Sequence, residues 1–144
     1  MARVKLDMEG VAFVFRPELE VRITDIDCGR HVGNDARLGL LHEARLRFLA
    51  DFGFAEEDLG GVGMLMGAAV QFKAVAFRGD KLTVALGLAD VERRTFDLMC
   101  RVTRAGDGAT VALAKTGMGA FDCAKNRPAD LPGAFWEKTG AKPA

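Results

Sequence analysis

The sequence has no excess of charge of either sign. Twenty Lys and Arg balance twenty Asp and Glu over 144 residues, and there are only two histidines. Proteins that grip a nucleic-acid backbone usually carry a basic excess, because phosphate neutralisation supplies much of their affinity. Nucleic acid is therefore excluded as the main partner, although two or three local cations still suffice for a small anionic ligand. Cysteine is scarce and unpatterned. Cys28, Cys100 and Cys123 are odd in number, far apart and form no Cys-x-x-Cys motif, which points to reduced thiols in a cytoplasm rather than a disulfide framework. No apolar run approaches the length of a membrane span, and Asp7 and Glu9 interrupt any signal-peptide core. Internal repeats, low-complexity tracts and Pro/Gly/Ser linkers are missing too.

What is present suits one globular domain over residues 1–144. With 49% hydrophobic and 28% charged residues, a chain of this length can bury a core without a metal or disulfide staple. Leu19, Val21 and Ile23 alternate with Glu20, Arg22 and Thr24, predicting a half-buried strand over Leu19–Asp27. The segment before it, around Val11–Phe15, reads as a short strand or an arm. A turn-prone cluster follows, then Asn34-Asp35 as a helix N-cap pair.

From Asp35 to Phe52 the spacing is helical. Leu38, Leu41, Ala44 and Phe48 form one stripe, widened by Leu46 and Leu49, while Arg37, Glu43, Arg45 and Arg47 carry the charge. Gly39 inside this run costs about 1 kcal/mol relative to Ala, which suggests a close backbone approach, and Gly53 fits the left-handed residue that ends a helix. After a Gly60–Gly67 loop, period two returns over Val70–Phe77, Leu82–Leu88, Phe96–Thr103 and Thr110–Phe121, with turns at Arg78-Gly79-Asp80, Glu92-Arg93-Arg94 and Gly106-Asp107-Gly108. The last strand has small groups along one face (Thr110, Ala112, Ala114, Thr116 and Ala120), and an irregular tail begins near residue 123. One long helix against an antiparallel meander is an α+β, two-layer arrangement.

The stretch Thr24-Asp25-Ile26-Asp27-Cys28-Gly29-Arg30-His31-Val32-Gly33-Asn34 joins a strand end to a helix start. A helix N-terminus presents unpaired N–H groups and the positive end of a dipole. It can stabilise an oxyanion, and a carboxylate just before it can act as base or nucleophile. The same residue types also make ordinary capped turns. Cys28 and His31 have metal-like spacing but no second Cys/His pair nearby, so no metal site is expected.

The chain from about Leu19 to Pro132 resembles the hotdog-fold acyl-CoA thioesterases, in the 4-hydroxybenzoyl-CoA thioesterase-like branch. The likeness rests on Asp25-Ile26-Asp27, Gly29-Arg30-His31-Val32-Gly33-Asn34, Glu43-Ala44-Arg45, Gly79-Asp80 ahead of a Leu/Val strand, Arg93-Arg94-Thr95-Phe96 and Leu131-Pro132. The resemblance implies a long central helix wrapped by a five- to six-stranded antiparallel sheet. It implies Asp27 as the catalytic carboxylate, either activating water or attacking the thioester to form a mixed anhydride. It further implies that Asn34 offers its backbone N–H to the thioester oxygen, that His31 orients or assists, and that Glu43 is a second carboxylate candidate. Two positions depart from the family pattern: Gly33 stands where the family has Asn, and Arg37 where it has Tyr.

Arg93 and Arg94 are the cations best suited to coenzyme A phosphates, and Met64 and Met66 suit a pliable acyl pocket or core filling. The substrate expected is an acyl-CoA or acyl-carrier-protein thioester, with no resident cofactor. The oligomer implied is a homodimer or homotetramer with active sites between subunits. Two other readings stand beside hydrolysis: a non-catalytic acyl-CoA-binding protein of the same fold, and a hotdog enoyl-CoA hydratase, whose Asp/His pair is spaced one residue wider. Asp25-x-Asp27 also resembles haloacid-dehalogenase phosphatases, but the alternating strand and the lack of βα repeats set that reading aside.

Overall fold

A computed structural model describes residues 4–27, 29–54, 62–122 and 124–140, with side chains 62–65 excepted. Cys28 and Cys123 lie outside the described residues. Strand β1 (Glu18–Glu20) leads through a 3-10 turn (Ile23–Asp25) to helix α1 (Asn34–Asp51). Strands β2 (Val62–Phe72), β3 (Lys81–Ala89), β4 (Thr95–Arg104), β5 (Thr110–Asp122) and β6 (Arg127–Pro128) follow, then helix α2 (Gly133–Thr139). All pairings are antiparallel, in the order β1-β3-β4-β5-β2, with β6 paired to the end of β5.

The alternation expected for β3, β4 and β5 is realised. Leu82, Val84 and Leu86, then Phe96, Leu98, Cys100 and Val102, then Ala112, Ala114, Met118 and Ala120 are buried against α1. From the helix come Leu40, Leu41, Ala44, Phe48 and Leu49. The small residues on β5 leave the depth that the bulky helix side chains fill. Burying each of Phe48, Phe96 and Phe135 contributes on the order of 1.5–3 kcal/mol. The expected Gly79 and Gly108 turns form, both glycines at positive φ, and Gly53 closes the helix at φ 82°.

Several expectations are corrected. The strand over Leu19–Asp27 stops at Glu20, because Asp25 takes hydrogen bonds from Arg22 and turns the chain into a 3-10 helix. The Gly60–Gly67 loop is strand from Val62 onward, and Gly67 faces Gly117 past a bulge after Leu65. Strand β2 ends at Phe72, so Lys73–Phe77 is a connection rather than a strand. Helix α1 starts at Asn34 with Gly33 as its cap and no side-chain cap bond, so Asn34-Asp35 is not the N-cap pair. Leu38 is exposed, Arg45 is buried, and Gly39 meets nothing within 4 Å of an added Cβ. Within residues 124–140 the tail is not irregular: Pro132 caps α2, which seats a fully buried Phe135 with its ring 4.9 Å from that of Phe96.

Residues 4–17 form an arm. Val14 and Phe15 exchange backbone hydrogen bonds with Leu86, extending the β1 edge. Further upstream the arm crosses the sheet face opposite α1: Ala12 covers Gly87, Phe13 stacks on Arg101, and the Leu6 N–H reaches the Gln71 side chain at 3.2 Å.

Candidate active site at the start of helix α1

The 3-10 turn fixes the approach to the helix. Asp25 is buried and accepts the Arg22 N–H at 2.9 Å, while its own carbonyl accepts the Gly33 N–H at 3.1 Å. Burial alone would raise the Asp25 carboxyl, but the hydrogen bonds and charge of Arg22 outweigh it and hold it below the usual carboxylate range. Residues 26–32 then fold back on themselves. Ile26 bridges Val32, the Asp27 N–H donates to the His31 carbonyl at 3.0 Å, and Val32 donates to Ala76 at 2.9 Å.

This loop sets Asp27 against the first residue before the helix. A Cβ added to Gly33 would lie 3.6 Å from Asp27 Cβ and 3.9 Å from its Oδ2. Oδ1 accepts the Gly29 N–H at 2.8 Å and stands 3.7 Å from His31 Nδ1, too far for a hydrogen bond. The carboxylate is 43% exposed, so one oxygen is held by the loop while the side chain stays open to a ligand. A Cβ added at Gly29 would come within 2.9 Å of His31 Nε2 and 3.2 Å of Asp27 Oδ1, so a side chain there would displace the His31 ring. Asn34 is the first helical residue, and its N–H is among those with no partner inside the helix. A carboxylate beside a helix N-terminus can activate or replace water at a carbonyl whose oxygen is drawn to those N–H groups.

Asp27, His31 and Asn34 are therefore brought together within one chain. Glu43 is not. It lies nine residues along the helix from Asn34, about 13 Å away, and pairs with Arg47 at 3.0 Å. Arg93 and Arg94 share Asp130 at 3.3 and 2.9 Å, and the Arg94 hydrogen bond is the main cause of a lowered Asp130 carboxyl. They sit where β4 begins, opposite Gly119, whereas the Asp27 loop lies near the Phe72 end of β2, opposite Ala112. Seven residues of strand separate those ends, about 23 Å. Met66 is exposed on the edge strand, with its sulfur over Gly119; the Met64 side chain lies outside the described residues.

Two residues that the sequence did not assign to the site flank it. Asp35 occupies room that Gly33 leaves: a Cβ at 33 would be 2.7 Å from Asp35 Oδ1. Arg37 reaches over Phe72 toward the Ala74 carbonyl; the sequence marked it only as a departure from the family pattern. His42 meets the buried Arg45 guanidinium through Nδ1. Cys100 is buried, and that burial pushes its thiol up to about 12 against the opposing charge of Arg45, which leaves it unreactive. Among the described residues there is no cluster of three or more His, Cys, Asp or Glu that could hold a metal ion. Nor, among them, is any helix long and apolar enough to cross a membrane.

No curated protein matches the chain at a significant level. Solved structures do match. A 1,4-dihydroxy-2-naphthoyl-CoA thioesterase from Synechocystis superposes with a TM-score of 0.81 at 23% identity, covering 88% of this chain and 95% of its own. A thioesterase from Thermus thermophilus, complexed with coenzyme A and Zn, gives 0.78 at 24%, covering 90% and 100%. A Staphylococcus aureus protein in complex with CoA gives 0.80 at 19%, covering 88% and 81%. These likenesses establish the hotdog fold, one long helix on an antiparallel sheet. A family model described as the thioesterase-like superfamily matches residues 21–139, which run from just after β1 to the end of α2, and the chain belongs to that superfamily.

Proposed function

We propose that this protein hydrolyses an acyl thioester of coenzyme A or of an acyl-carrier protein, with Asp27 as the reacting carboxylate. The observation that carries this reading is the contact of Asp27 with Gly33 at the start of α1. The thioester oxygen accepts the Asn34 N–H and gains from the positive end of the helix dipole as charge develops on it. Asp27 either takes a proton from water as that water attacks, or attacks the carbonyl itself and is freed by water afterwards. Both routes consume one water and yield the free acid and the thiol. Coenzyme A enters as part of the substrate, and no resident cofactor is called for. Three structural neighbours support the substrate class: one is named a CoA thioesterase, and two were solved with CoA. The setting we propose is cytoplasmic, which the free, buried Cys100 fits.

A second copy completes the site in this reading. Strand β2 is an edge of the sheet, and a long unpaired edge is a template for another chain. Antiparallel pairing of two β2 strands sets the Val62 end of one against the Phe72 end of the other. The partner subunit's Arg93 and the partner subunit's Arg94 are thereby carried toward the Asp27 loop, where they serve the coenzyme A phosphates.

The test is thiol release from a panel of aryl, short and long acyl-CoA thioesters. Hydrolysis predicts stoichiometric free acid and thiol from at least one of them. Binding without turnover of any member would leave a non-catalytic acyl-CoA-binding protein, and conversion of a 2-enoyl-CoA without thiol release would leave a hydratase.

A further inference from the structure

Gly33 has a carboxylate on either side. A Cβ placed there would lie 2.7 Å from Asp35 Oδ1 and 3.9 Å from Asp27 Oδ2, so one methyl-sized space borders both side chains. Like charges that share a site favour protonation of one of them. A bound thioester adds to this, because covering the 43% exposed Asp27 strips water from it and disfavours the charged form. The reaction nevertheless needs Asp27 ionised, whether it attacks or takes a proton. His31 Nδ1 stands 3.7 Å from Asp27 Oδ1, but an imidazole loses its charge near neutral pH.

A guanidinium keeps its charge, and that of Arg37 is fixed in place. The Arg37 N–H donates to the Gly33 carbonyl at 3.1 Å, one helical turn back. Its Nη2 donates to the Ala74 carbonyl at 3.2 Å, and its guanidinium lies 4.5 Å from the Phe72 ring centroid. The segment it grips also carries the returning limb of the Asp27 loop: the Ala76 carbonyl accepts the Val32 N–H at 2.9 Å, and Phe77 bridges His31. Nothing cancels the charge locally. Nε and Nη1 are shut off from solvent and meet no acceptor among the described residues. The space of about 20 Å³ beside them is lined by Val32, Leu40, Leu41, Val70 and Ala112, and apolar side chains screen a charge less than water does. Burial draws the Arg37 pKa below its ordinary value, and the Asp27 carboxylate opposes that shift. The attraction is mutual, so Arg37 favours the charged form of Asp27 in turn. Neighbouring acids are engaged elsewhere: Asp25 takes Arg22, and Asp80 takes the Phe77 N–H.

We infer that Arg37 is a positioning residue for Asp27: anchored on the Ala74 carbonyl and the Phe72 ring, it supplies the standing positive charge that keeps the Asp27 carboxylate ionised beside Asp35 and beneath a bound thioester. This rests on the reading of Asp27 as the reacting carboxylate. Arg37 acts through Asp27 and not on the substrate.

The experiment follows the Asp27 carboxyl by carbon-13 NMR titration in the wild type, Arg37→Met, Arg37→Gln and Arg37→Lys, its signal identified by its loss in Asp27→Asn. A cation favours the ionised carboxylate, so removing it raises the midpoint. Arg37→Met is expected to titrate about half a pH unit or more above the wild type. Arg37→Gln, which keeps a donor for Ala74 without the charge, is expected to match Arg37→Met, and Arg37→Lys to stay close to the wild type. In thiol release, the acidic limb of kcat reports the bound complex; it is expected to move up in the Met and Gln variants and to stay in the Lys variant. Midpoints unchanged in Arg37→Met and Arg37→Gln overturn the inference. So does a kcat limb that stays in place in both, or an equal rise in Arg37→Lys, which would make the effect one of packing and not of charge. Should Arg37→Met fail to fold, Arg37→Gln set against Arg37→Lys decides the matter. The titration needs no turnover. Midpoints that move as expected in a protein that cleaves no thioester would defeat the hydrolytic reading alone, and hydrolysis with unmoved midpoints would defeat this inference alone.

Discussion

Asp25 shows how a single buried carboxylate shapes the site without touching substrate. Its side chain, 6% exposed, takes the Arg22 guanidinium and backbone N–H, and its carbonyl takes Gly33. We expect Asp25→Asn to destabilise the fold by about 1–2 kcal/mol at neutral pH. Because the folded carboxyl is held below its unfolded value, near 3.9, the stabilisation is full above that value and is lost as pH falls through the folded one. Thermal melts of the two proteins should therefore differ at pH 7 and converge below about pH 4; a gap that persists in acid would contradict the assignment. At this scale the sequence was partly legible. The Asp27, His31 and Asn34 cluster could be named from its motif because all three lie within eight residues. Arg45 could not be recognised as buried, nor Leu38 as exposed, because helical spacing tells which residues share a face but not how the sheet curves around it.

Gly87 marks where two elements cross. A Cβ there would lie 2.4 Å from the Ala12 carbonyl oxygen, a backbone atom that cannot swing aside, so the whole arm must move. Gly87→Ala is expected to cost roughly 1–3 kcal/mol and to raise hydrogen exchange at Val14, whose N–H donates to Leu86 at 2.9 Å. Unchanged protection there would show that the arm tolerates displacement. Strands β3, β4 and β5 were readable because the face packed against α1 takes an apolar residue at nearly every second position, which imposes period two. The 3-10 turn was not, since Leu19, Val21 and Ile23 keep alternating while the Arg22–Asp25 pairing, invisible in the pattern, bends the chain. The start of strand β2 was masked by the glycines of Gly60–Gly67, yet Gly63 and Gly67 pair there, opposite Ala120 and Gly117. Helix α2 was hidden in the tail expected to be irregular, because Pro132-Gly133, residue types that ordinarily break structure, are its cap and first residue.

At the scale of the molecule, the fold leaves unfinished surfaces. Strand β2 ends the sheet, and Met66, Phe72, Val75, Phe77 and Leu38 are exposed around it and the start of α1. Sedimentation at micromolar concentration is expected to give a dimer or larger assembly; a monomer with full activity would show that the site needs no second copy. The architecture could be anticipated from the meander and its motifs, but the cations expected to serve Asp27 lie at the far end of their own chain, a relation that depends on topology. The most direct measurement is the rate of thiol release by Asp27→Asn, set beside its affinity for free coenzyme A. We predict a fall in rate of about 10²–10⁴-fold with affinity and melting temperature nearly unchanged. A variant that still cleaves thioesters at the wild-type rate would contradict the role assigned to Asp27.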